Sequence, residues 1–435
     1  MKINLAFGRG ALEITLPDDL NVQVVEPVYV EGLENQVQAV HNALRRPIAS
    51  KPLKELVKSS DQVGIVINDI TRATPYNIIL PVLLEQLDHV PDNRIILFNA
   101  TGTHRPNTET ELQRMLGNEI MHKYRIIQND CHDRDSHTLV GTTKDANDIW
   151  IHKDYVKCDV RILTGFIEPH FYAGFSGGGK AVMPGLALLE TVLRNHSAKN
   201  LDNSLATWGV TDCNPVWEEI RQAASMTHPT FLLNVTLNKD KQITQVFAGD
   251  FEQAHVHGCT FVKNNAMIPV KEPFEVVITS NSGYPLDLNL YQSVKGMSAA
   301  CQIVKNGGSI IAAADCWDGI PEHGEYGKLL LEADSIESLL RTVRTPGFLR
   351  QDMWQVLIQA LICQKAHVYF YSENLTDEQI RGALLRPCHN IESTVNELLD
   401  EYGRDASICV LPQGPQTIPY IHPAHPMGGV HETGH

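Results

Sequence analysis

VRILTGFIEPHFYAGFSGGGKAVMPG, residues 160–185, is the stretch that decides the fold prediction. Its first five residues, Val160–Thr164, are mostly branched aliphatic, which favours a buried β-strand. The residues that follow are rich in glycine and also carry His170 and Lys180. So many glycines predict a backbone that packs closely against a ligand, with the lysine at its edge. A strand that opens into such a loop is typical of α/β proteins, in which ligands bind at the carboxyl ends of strands.

A phosphate-binding P-loop is the first alternative for this stretch, because Gly174 to Lys180 fits the pattern GxxxxGK. Ala181 stands where a P-loop has the serine or threonine that holds magnesium. The predicted strand also ends well before Gly174, whereas a P-loop follows its strand directly. The P-loop interpretation therefore fails, and no GxGxxG dinucleotide motif follows the first predicted strand.

Further aliphatic runs alternate with helical patterns along the chain. The predicted strands lie at residues 64–68, 94–98, 160–164, 275–279, 309–313, 367–371 and 407–411. The predicted helices start at Thr74-Pro75 (N-cap and N1, through Leu87), at Thr108 (a capping box with Glu111), at Tyr291 (to Asn306) and at Thr376 (a capping box with Gln379). Strands that alternate with helices predict parallel sheets.

We predict an α/β fold with two domains, each with a largely parallel sheet flanked by helices, and an active site in the cleft between them. The first domain is expected to span residues 1–268 and the second residues 269–403. The segment 404–420 is expected to return to the first domain. Residues 421–435 carry four histidines among proline and glycine. We expect them to form a disordered tail and not a metal site.

Composition excludes several classes of function. The formal net charge of -15 argues against a nucleic-acid partner, which calls for a basic patch. No apolar run approaches the ~20 residues that cross a bilayer, and the N-terminus does not resemble a signal peptide. The nine cysteines are scattered without a CxxC pair, which predicts reduced thiols in a cytoplasmic protein. The sequence does not determine the oligomeric state, and a homo-oligomer is one possibility.

Two more loops carry polar residues directly after predicted strands. Asp69, Ile70, Thr71 and Arg72 follow the strand that ends at Asn68. Their carboxylate, hydroxyl and guanidinium before a predicted helix are typical of a phosphate or carboxylate site, although a capping turn with a surface ion pair explains them equally well.

His104 follows the next strand, within Asn99–Pro106, and is well placed for acid–base chemistry. A lone histidine is more often structural.

His196 lies beyond the glycine-rich stretch. One histidine cannot hold a structural metal, but it can be one ligand to a metal held mainly by a cofactor. In the second predicted domain, Gln292 and Lys295 share one helix face, where an amide and an ammonium can bind a carboxylate. The alternative is that this helix face is simply exposed to solvent, and the pair then binds no ligand.

Together these segments resemble the lactate racemase family. The resemblance rests on Gly165–Gly185, His196, Asp69–Arg72, His104 and Tyr291–Lys295. It is collinear from about residue 60 to about residue 360, with lesser matches at 214–216, 247–250 and 352–355. Gly179 departs from the family pattern, which has a basic residue before the lysine.

The resemblance implies a nickel-dependent racemase or epimerase, an isomerase that uses a nickel-pincer nucleotide joined covalently to Lys180. By resemblance His196 is the protein ligand to nickel, Asp69, Ile70, Thr71, Arg72 and Pro184 bind the nucleotide, and His104 and His170 are the acid–base pair. The substrate-binding residues implied are Arg72, Tyr291, Gln292, Lys295 and Trp354. Cofactor-synthesis and nickel-delivery proteins are implied partners.

The implied reaction inverts C2 of a small 2-hydroxy acid, lactate first, by reversible hydride transfer through a planar 2-keto acid. Histidines on both sides then exchange the hydroxyl proton for either enantiomer. Malate or a sugar acid such as gluconate stays open as substrate. Two other classes also stay open: a nicotinamide-dependent 2-hydroxy acid dehydrogenase, which the absent dinucleotide motif disfavours, and a non-enzymatic hydroxy-acid or nucleotide sensor, which would not require His104, His170, Lys180 and His196 together.

Overall fold

The structure is a computed structural model that describes residues 1–322 and 324–421. In chain order its strands are β1 (Lys2–Phe7), β2 (Gly10–Thr15), β3 (Val22–Val24), β4 (Val63–Asn68), β5 (Ile95–Ala100), β6 (Arg125–Gln128), β7 (His137–Thr142), β8 (Asp148–His152), β9 (Val160–Phe166), β10 (Pro169–His170), β11 (Gly174–Phe175), β12 (Phe231–Leu237), β13 (Ile243–Gly249), β14 (Met267–Val270), β15 (Phe274–Ser280), β16 (Val304–Ala313), β17 (His367–Tyr371), β18 (Arg386–Pro387), β19 (Ile408–Leu411) and β20 (Ile418–Ile421).

The helices lie between these strands. They are α1 (Gln36–Arg45), α2 (Leu53–Leu56), α3 (Tyr76–Glu85), α4 (Glu109–Lys123, interrupted at Gly117), α5 (Lys153–Val156), α6 (Leu189–Asn195), α7 (Ala198–Leu201), α8 (Pro215–Ser225), α9 (Phe251–Ala266), α10 (Leu290–Cys301), α11 (Tyr326–Leu331), α12 (Ile336–Val343), α13 (Met353–Lys365), α14 (Asp377–Gly382) and α15 (Ile391–Tyr402). Among the helices of the described residues, none is both long and apolar enough to span a membrane.

The chain divides into two compact units. The first comprises Val28–Asn265 with Leu349–Gln351, and the second comprises Met1–Pro27, Ala266–Phe348 and the described residues from Asp352 to Ile421. Each unit contains one large sheet flanked by helices, so the predicted α/β fold class is confirmed.

The sheet of the first unit has the strand order β13-β12-β9-β4-β5-β6. All its neighbours are parallel except β12 and β13. In β4 every residue from Val63 to Ile67 is buried, as expected for an aliphatic strand covered on both faces. The chain continues from β4 to β5 on one side and later returns to β9 on the other. The carboxyl ends of β4 and β9 therefore form a topological switch point, where α/β proteins bind ligands.

The sheet of the second unit is parallel throughout, in the order β18-β17-β16-β15-β19-β3. The β1–β2 hairpin packs its Ile3, Leu5, Ile14 and Leu16 into the same core as Val276 of β15.

This arrangement corrects the predicted domain limits at both ends of the chain. Strand β19 pairs with β15 and β3, so segment 404–420 belongs to the second unit and does not return to the first. Residues 1–27 also lie in the second unit rather than in the first. The apolar run of β19 fits the edge of either sheet, and only its parallel pairing with Val276–Thr279 decides between them. Ile421 ends a strand, and the rest of the predicted tail, 422–435, lies outside the described residues.

Two predicted helix boundaries were wrong. Helix α3 begins at Tyr76 with Pro75 as its N-cap, so Thr74 does not cap it and instead donates from its hydroxyl to Asn68 Oδ1 over 3.0 Å. Helix α10 ends at Cys301, and Val304–Asn306 belongs to β16. Both predicted capping boxes, at Thr108 and Thr376, are confirmed.

The capping box of α4 gives a stability prediction. In Thr108→Ala the hydroxyl that accepts from the backbone N–H of Glu111 is lost, and we expect the free energy of unfolding to fall by about 1 kcal/mol. Urea unfolding followed by circular dichroism measures the change. Thr110→Ala, exposed two residues further along the same helix, is the matched control and should be neutral or slightly stabilising because alanine has the higher helix propensity. Equal losses in both variants would contradict a specific role for the cap.

Candidate active site

Three loops of the first unit begin at one edge of its sheet. The pairing of Asn68 with Ala100 sets the ends of β4 and β5 level, and β9 continues on the other side of β4 to Phe166. The loops that follow these strands contain Asp69, His104 and His170. The structure thus places these three predicted residues on adjacent loops at the switch point.

Asp69 and His104 form a hydrogen-bonded pair. The carboxylate Oδ2 lies 2.7 Å from His104 Nδ1, and the other oxygen accepts from the Thr71 hydroxyl over 2.7 Å. Burial by itself raises the pKa of Asp69, but His104, Arg72 and the Thr71 hydroxyl outweigh it, and the net pKa is lowered. The His104 side chain remains 35% exposed while that of Asp69 is only 4% exposed. A buried, ionised carboxylate therefore orients a histidine that solvent and ligands can reach.

The turn from Asp69 to Arg72 precedes α3 and is not its first turn, since the helix begins at Tyr76. The backbone N–H of Arg72 donates to the carbonyl of Asp69 over 3.1 Å. Asn107 Oδ1 accepts from the backbone N–H of Ile70 over 3.3 Å, which ties this turn to the loop of His104.

Arg72 is paired with a residue of the third loop. Its Nη1 lies 3.3 Å from Glu168 Oε1, and both side chains are partly exposed. The guanidinium keeps further N–H groups besides the one in this contact, and these can bind a carboxylate or phosphate.

The glycine-rich stretch folds back on itself after β9. Strands β10 and β11 pair antiparallel, with His170 opposite Gly174. Gly174 has a φ of +77°, and a Cβ there would lie 2.2 Å from the carbonyl oxygen of Val210, so only glycine fits. The short ribbon separates Gly174 from β9, which agrees with the rejection of the P-loop interpretation. His170 is buried, and its Nδ1 accepts from the backbone N–H of Ala173 over 3.3 Å.

Tyr172 brings together Lys180 and His196. The Lys180 ammonium lies 5.6 Å from the centre of the tyrosine ring, and the His196 ring meets it edge-on at 5.0 Å. Lys180 itself stands in a short 3-10 turn, Gly178–Ala181, and His196 caps the end of α6. His170 also packs against Tyr172, with ring centres 4.5 Å apart. The two histidines and the lysine thus share one aromatic neighbour.

His196 has the properties of a metal ligand. Burial, followed by the charge of Lys180, lowers the pKa of His196 to about 3. The imidazole is therefore neutral at physiological pH, which is the form that binds metals, and imidazole nitrogen suits nickel. The residues present fit a metal-bearing group that is held from one side by this imidazole.

The loop after Lys180 lies against the loop of His104. The backbone N–H of Gly102 donates to the carbonyl of Gly185 over 3.0 Å, and the half-buried Pro184 lies beside Gly102. Gly179, the departure from the family pattern, faces α8, where a Cβ would lie 3.1 Å from the Cβ of Ala224. Any larger side chain at this position starts in contact with that helix.

The remaining predicted residues lie in the second unit. The Tyr291 hydroxyl accepts from the indole N–H of Trp354 over 3.1 Å, and Trp354 is buried. Gln292 and Lys295 are half-buried on α10, where Asn289 caps the helix by accepting from the backbone N–H of Gln292. Tyr291 and Trp354 are therefore in contact in the structure, and the predicted roles of these two residues and of Gln292 and Lys295 stay predictions.

Sequence reasoning missed Glu168, Tyr172 and Asn107 as site residues. Glu168 and Tyr172 stand in the quoted stretch and could have been named from it, because both are polar and lie in the same loop as His170. Asn107 gave no local signal, since its partner Ile70 N–H is 37 residues away in the chain.

A buried carboxylate–histidine pair at the switch point of a parallel sheet, beside a neutral histidine and a lysine, defines a small-molecule enzyme of the α/β class. Residues 7–209 match the family of lactate racemase N-terminal domains, and residues 270–418 match that of lactate racemase C-terminal domains. The chain belongs to the lactate racemase family.

Two relatives match nearly the whole chain. Lactate racemase of Lactiplantibacillus plantarum is 35% identical over 416 residues, which cover 92% of this chain and 98% of the relative. Lactate racemase of Thermoanaerobacterium thermosaccharolyticum is 32% identical over 421 residues, which cover 96% of this chain and 98% of the relative.

Solved structures agree with this assignment. The lactate racemase apoprotein of Thermoanaerobacterium thermosaccharolyticum superposes with a TM-score of 0.90 at 31% identity, and the match covers 96% of this chain and 100% of that one. A protein of Thermotoga maritima shares the fold, with a TM-score of 0.68 at 18% identity over 91% of this chain and 100% of that one.

The lowered pKa of Asp69 predicts a pH dependence of stability. A carboxylate whose pKa is lower in the folded chain stabilises it above the unfolded value of about 3.9, and this contribution is lost as the pH falls through the folded pKa. We therefore expect Asp69→Asn to be less stable than the wild type at pH 6, and the gap to narrow by pH 3. Urea unfolding at both pH values measures it. Asp212→Asn, at an exposed carboxylate of the same unit, is the control, and a gap for Asp69→Asn that stays constant with pH would contradict the prediction.

Proposed function

We propose that this chain is a racemase of a small 2-hydroxy acid, with lactate as the first candidate. The observation that carries the proposal is the Asp69–His104 pair, which presents a partly exposed imidazole at the switch point of the first sheet. The names of the two relatives, both lactate racemases, support the reaction and the substrate.

His104 is the base for one enantiomer. Because its Nδ1 donates to the ionised Asp69, the neutral ring carries its proton on Nδ1 and leaves Nε2 as an acceptor. Nε2 is therefore the atom that takes the hydroxyl proton of the substrate. Asp69 then stabilises the imidazolium that forms.

His170 has the opposite tautomer when its ring is neutral. Its Nδ1 accepts from the backbone N–H of Ala173, so the neutral ring carries its proton on Nε2. To return a proton His170 must first become an imidazolium, in which Nδ1 no longer accepts from Ala173, because loss of the Nε2 proton from the neutral ring would leave an imidazolate. Inversion requires hydride to leave C2 and return to the opposite face of the planar keto acid. His104 removes the hydroxyl proton in the first step and His170 returns a proton to the oxygen in the second, and exchange of the two roles serves the reverse reaction.

The cofactor we propose is the nickel-pincer nucleotide. When bound, it would accept hydride from the α-carbon of the substrate and return it. Lys180 would hold it covalently and the neutral His196 would be its nickel ligand. Asp69 to Arg72 and Pro184 would bind its nucleotide part. Loss of hydride and of the hydroxyl proton leaves a 2-keto acid, which is planar at C2 and can be reduced on either face.

The substrate carboxylate is assigned to cationic and amide side chains. In the first unit Arg72 has N–H groups to donate beyond its contact with Glu168. In the second unit Gln292 and Lys295 are on one face of α10, and Tyr291 is fixed by its bond from the buried Trp354. Malate and sugar acids carry the same carboxylate, and they are the next substrates to assay.

Delivery of the cofactor requires other proteins. We propose that synthesis and nickel-delivery proteins load the chain in the cytoplasm, where its nine cysteines are reduced. We also propose that it binds neither nucleic acid nor membrane.

Loss of either histidine should slow racemisation strongly. With protein produced in cells that make the cofactor, we expect His104→Ala and His170→Ala each to lower the rate of interconversion of D- and L-lactate by about 10²-fold or more. Chiral chromatography follows both directions. His257→Ala, at an exposed position on α9, is the control and should keep full activity. Full activity in either site variant would overturn the assignment of that histidine.

Intact mass and nickel content test the cofactor. We expect the wild type from such cells to carry one covalent adduct that maps to Lys180 and about one nickel per chain. Lys180→Ala should lose the adduct, whereas Lys199→Ala, at an exposed lysine paired with Asp145, should keep it. An unmodified, nickel-free wild type would contradict the proposal. Keto acid formed only with added nicotinamide cofactor would then favour a dehydrogenase, and binding without turnover would favour a sensor.

A further inference from the structure

Glu219 is a carboxylate buried in the first unit. Its hydrogen-bond donors, described below, are a hydroxyl and two side-chain amides, all of them neutral groups. It lies on α8 and is 3% exposed. Its Oε1 accepts from the hydroxyl of Thr143 over 2.8 Å, and its Oε2 accepts from the side-chain amides of Asn195 over 2.8 Å and Asn147 over 3.2 Å. Because a carboxylate only accepts, both amides must turn their NH2 groups toward it.

The three donors come from two other elements. Thr143 and Asn147 belong to the turn between β7 and β8, and Asn195 is the last residue of α6. The amide of Asn147 also donates to the carbonyl of Thr191 over 3.1 Å. Glu219 therefore holds α6 directly at Asn195 and indirectly one turn earlier.

The residue that follows Asn195 is His196. The carbonyl oxygen of Asn195, in the peptide bond between these two residues, accepts from the side-chain amide of Asn200 over 2.9 Å. The backbone N–H of His196 donates to the carbonyl of Val192 over 2.8 Å. The Asn195 amide donates to the Val216 carbonyl of α8 as well as to Glu219. The Cα of His196 is thus held to α8 through its neighbour's side chain.

Burial of a carboxylate is unfavourable unless hydrogen bonds compensate, and an apolar pair would join two helices at lower cost. Unlike an apolar contact, the carboxylate makes directional hydrogen bonds. Three donors converge on its two oxygen atoms, so α6 has little freedom to rotate or slide against α8. Residues that orient a metal ligand from behind act in this way.

We propose that Glu219 is a positioning residue for His196, and that it fixes the imidazole for the metal-bearing group through Asn195. This inference rests on the proposed function, in which His196 binds nickel. Under this inference, the hydrogen bonds that Glu219 Oε2 accepts from Asn195 and Asn147 determine how firmly nickel is retained. The hydrogen bond from Thr143 to Oε1 does not affect nickel retention.

Nickel loss to EDTA from protein loaded in cofactor-producing cells is the first readout. We expect Asn195→Ala and Glu219→Ala to release nickel about 10- to 100-fold faster than the wild type, with the Lys180 adduct still present by intact mass. Glu219→Gln should stay near the wild-type rate, because its amide oxygen can still accept from Asn195 while its NH2 donates to Thr143.

Thr143→Val is the matched control. It removes a hydrogen bond from the same buried carboxylate but leaves the contact with Asn195, so it should destabilise the chain without faster nickel release. Equal release from Thr143→Val and Asn195→Ala, or wild-type release from Asn195→Ala, would overturn the proposal.

A second readout needs no cofactor. In the nickel-free chain, we expect the ring signals of His196 in long-range ¹H–¹⁵N spectra to move in Asn195→Ala and to stay in place in Thr143→Val. Unmoved signals in Asn195→Ala would overturn the positioning role whether or not nickel binds. A wild type that carries no nickel from cofactor-producing cells would instead count against the proposed function, so the two failures are distinguishable.

Discussion

Strand β4 determines where chemistry can take place in the first unit. It is hydrogen-bonded along both edges, to β5 and β9, and its residues from Val63 to Ile67 are buried. A polar side chain along such a strand is unfavourable unless it finds a hydrogen-bond partner in the core. The first polar positions are Asn68 and Asp69, at its carboxyl end. The loops of β5 and β9 begin beside them, and the site depends on this alignment.

Much of this arrangement could be predicted from the sequence because it is local. Aliphatic runs marked the central strands, the capping boxes at Thr108 and Thr376 follow from spacing alone, and the polar residues after β4, β5 and β9 were identified by their position after a strand. The family resemblance supplied roles that no spacing could give.

What could not be predicted depends on contacts between distant residues. The sheet that accepts β19 is decided by its pairing with β15, more than 100 residues earlier, and Glu219 meets its donors Thr143 and Asn147 across 76 and 72 residues. The end of α10 was missed for a different reason. Between Cys301 and Gly307 the sequence has no glycine or proline to mark the end of the helix. The end is instead set by the parallel pairing of Val304 with Phe274 of β15.

The different partners of His104 and His170 have a consequence for kinetics. One ring is bonded to a buried carboxylate and the other to a backbone N–H, so the two histidines are not equivalent. Yet two enantiomers of one acid have identical free energies in water, and their equilibrium constant is one. Under the proposed function the specificity constants for the two enantiomers must therefore be equal. Any advantage in turnover that the asymmetric pair gives to one hand of the substrate must be matched by weaker apparent binding of that same hand.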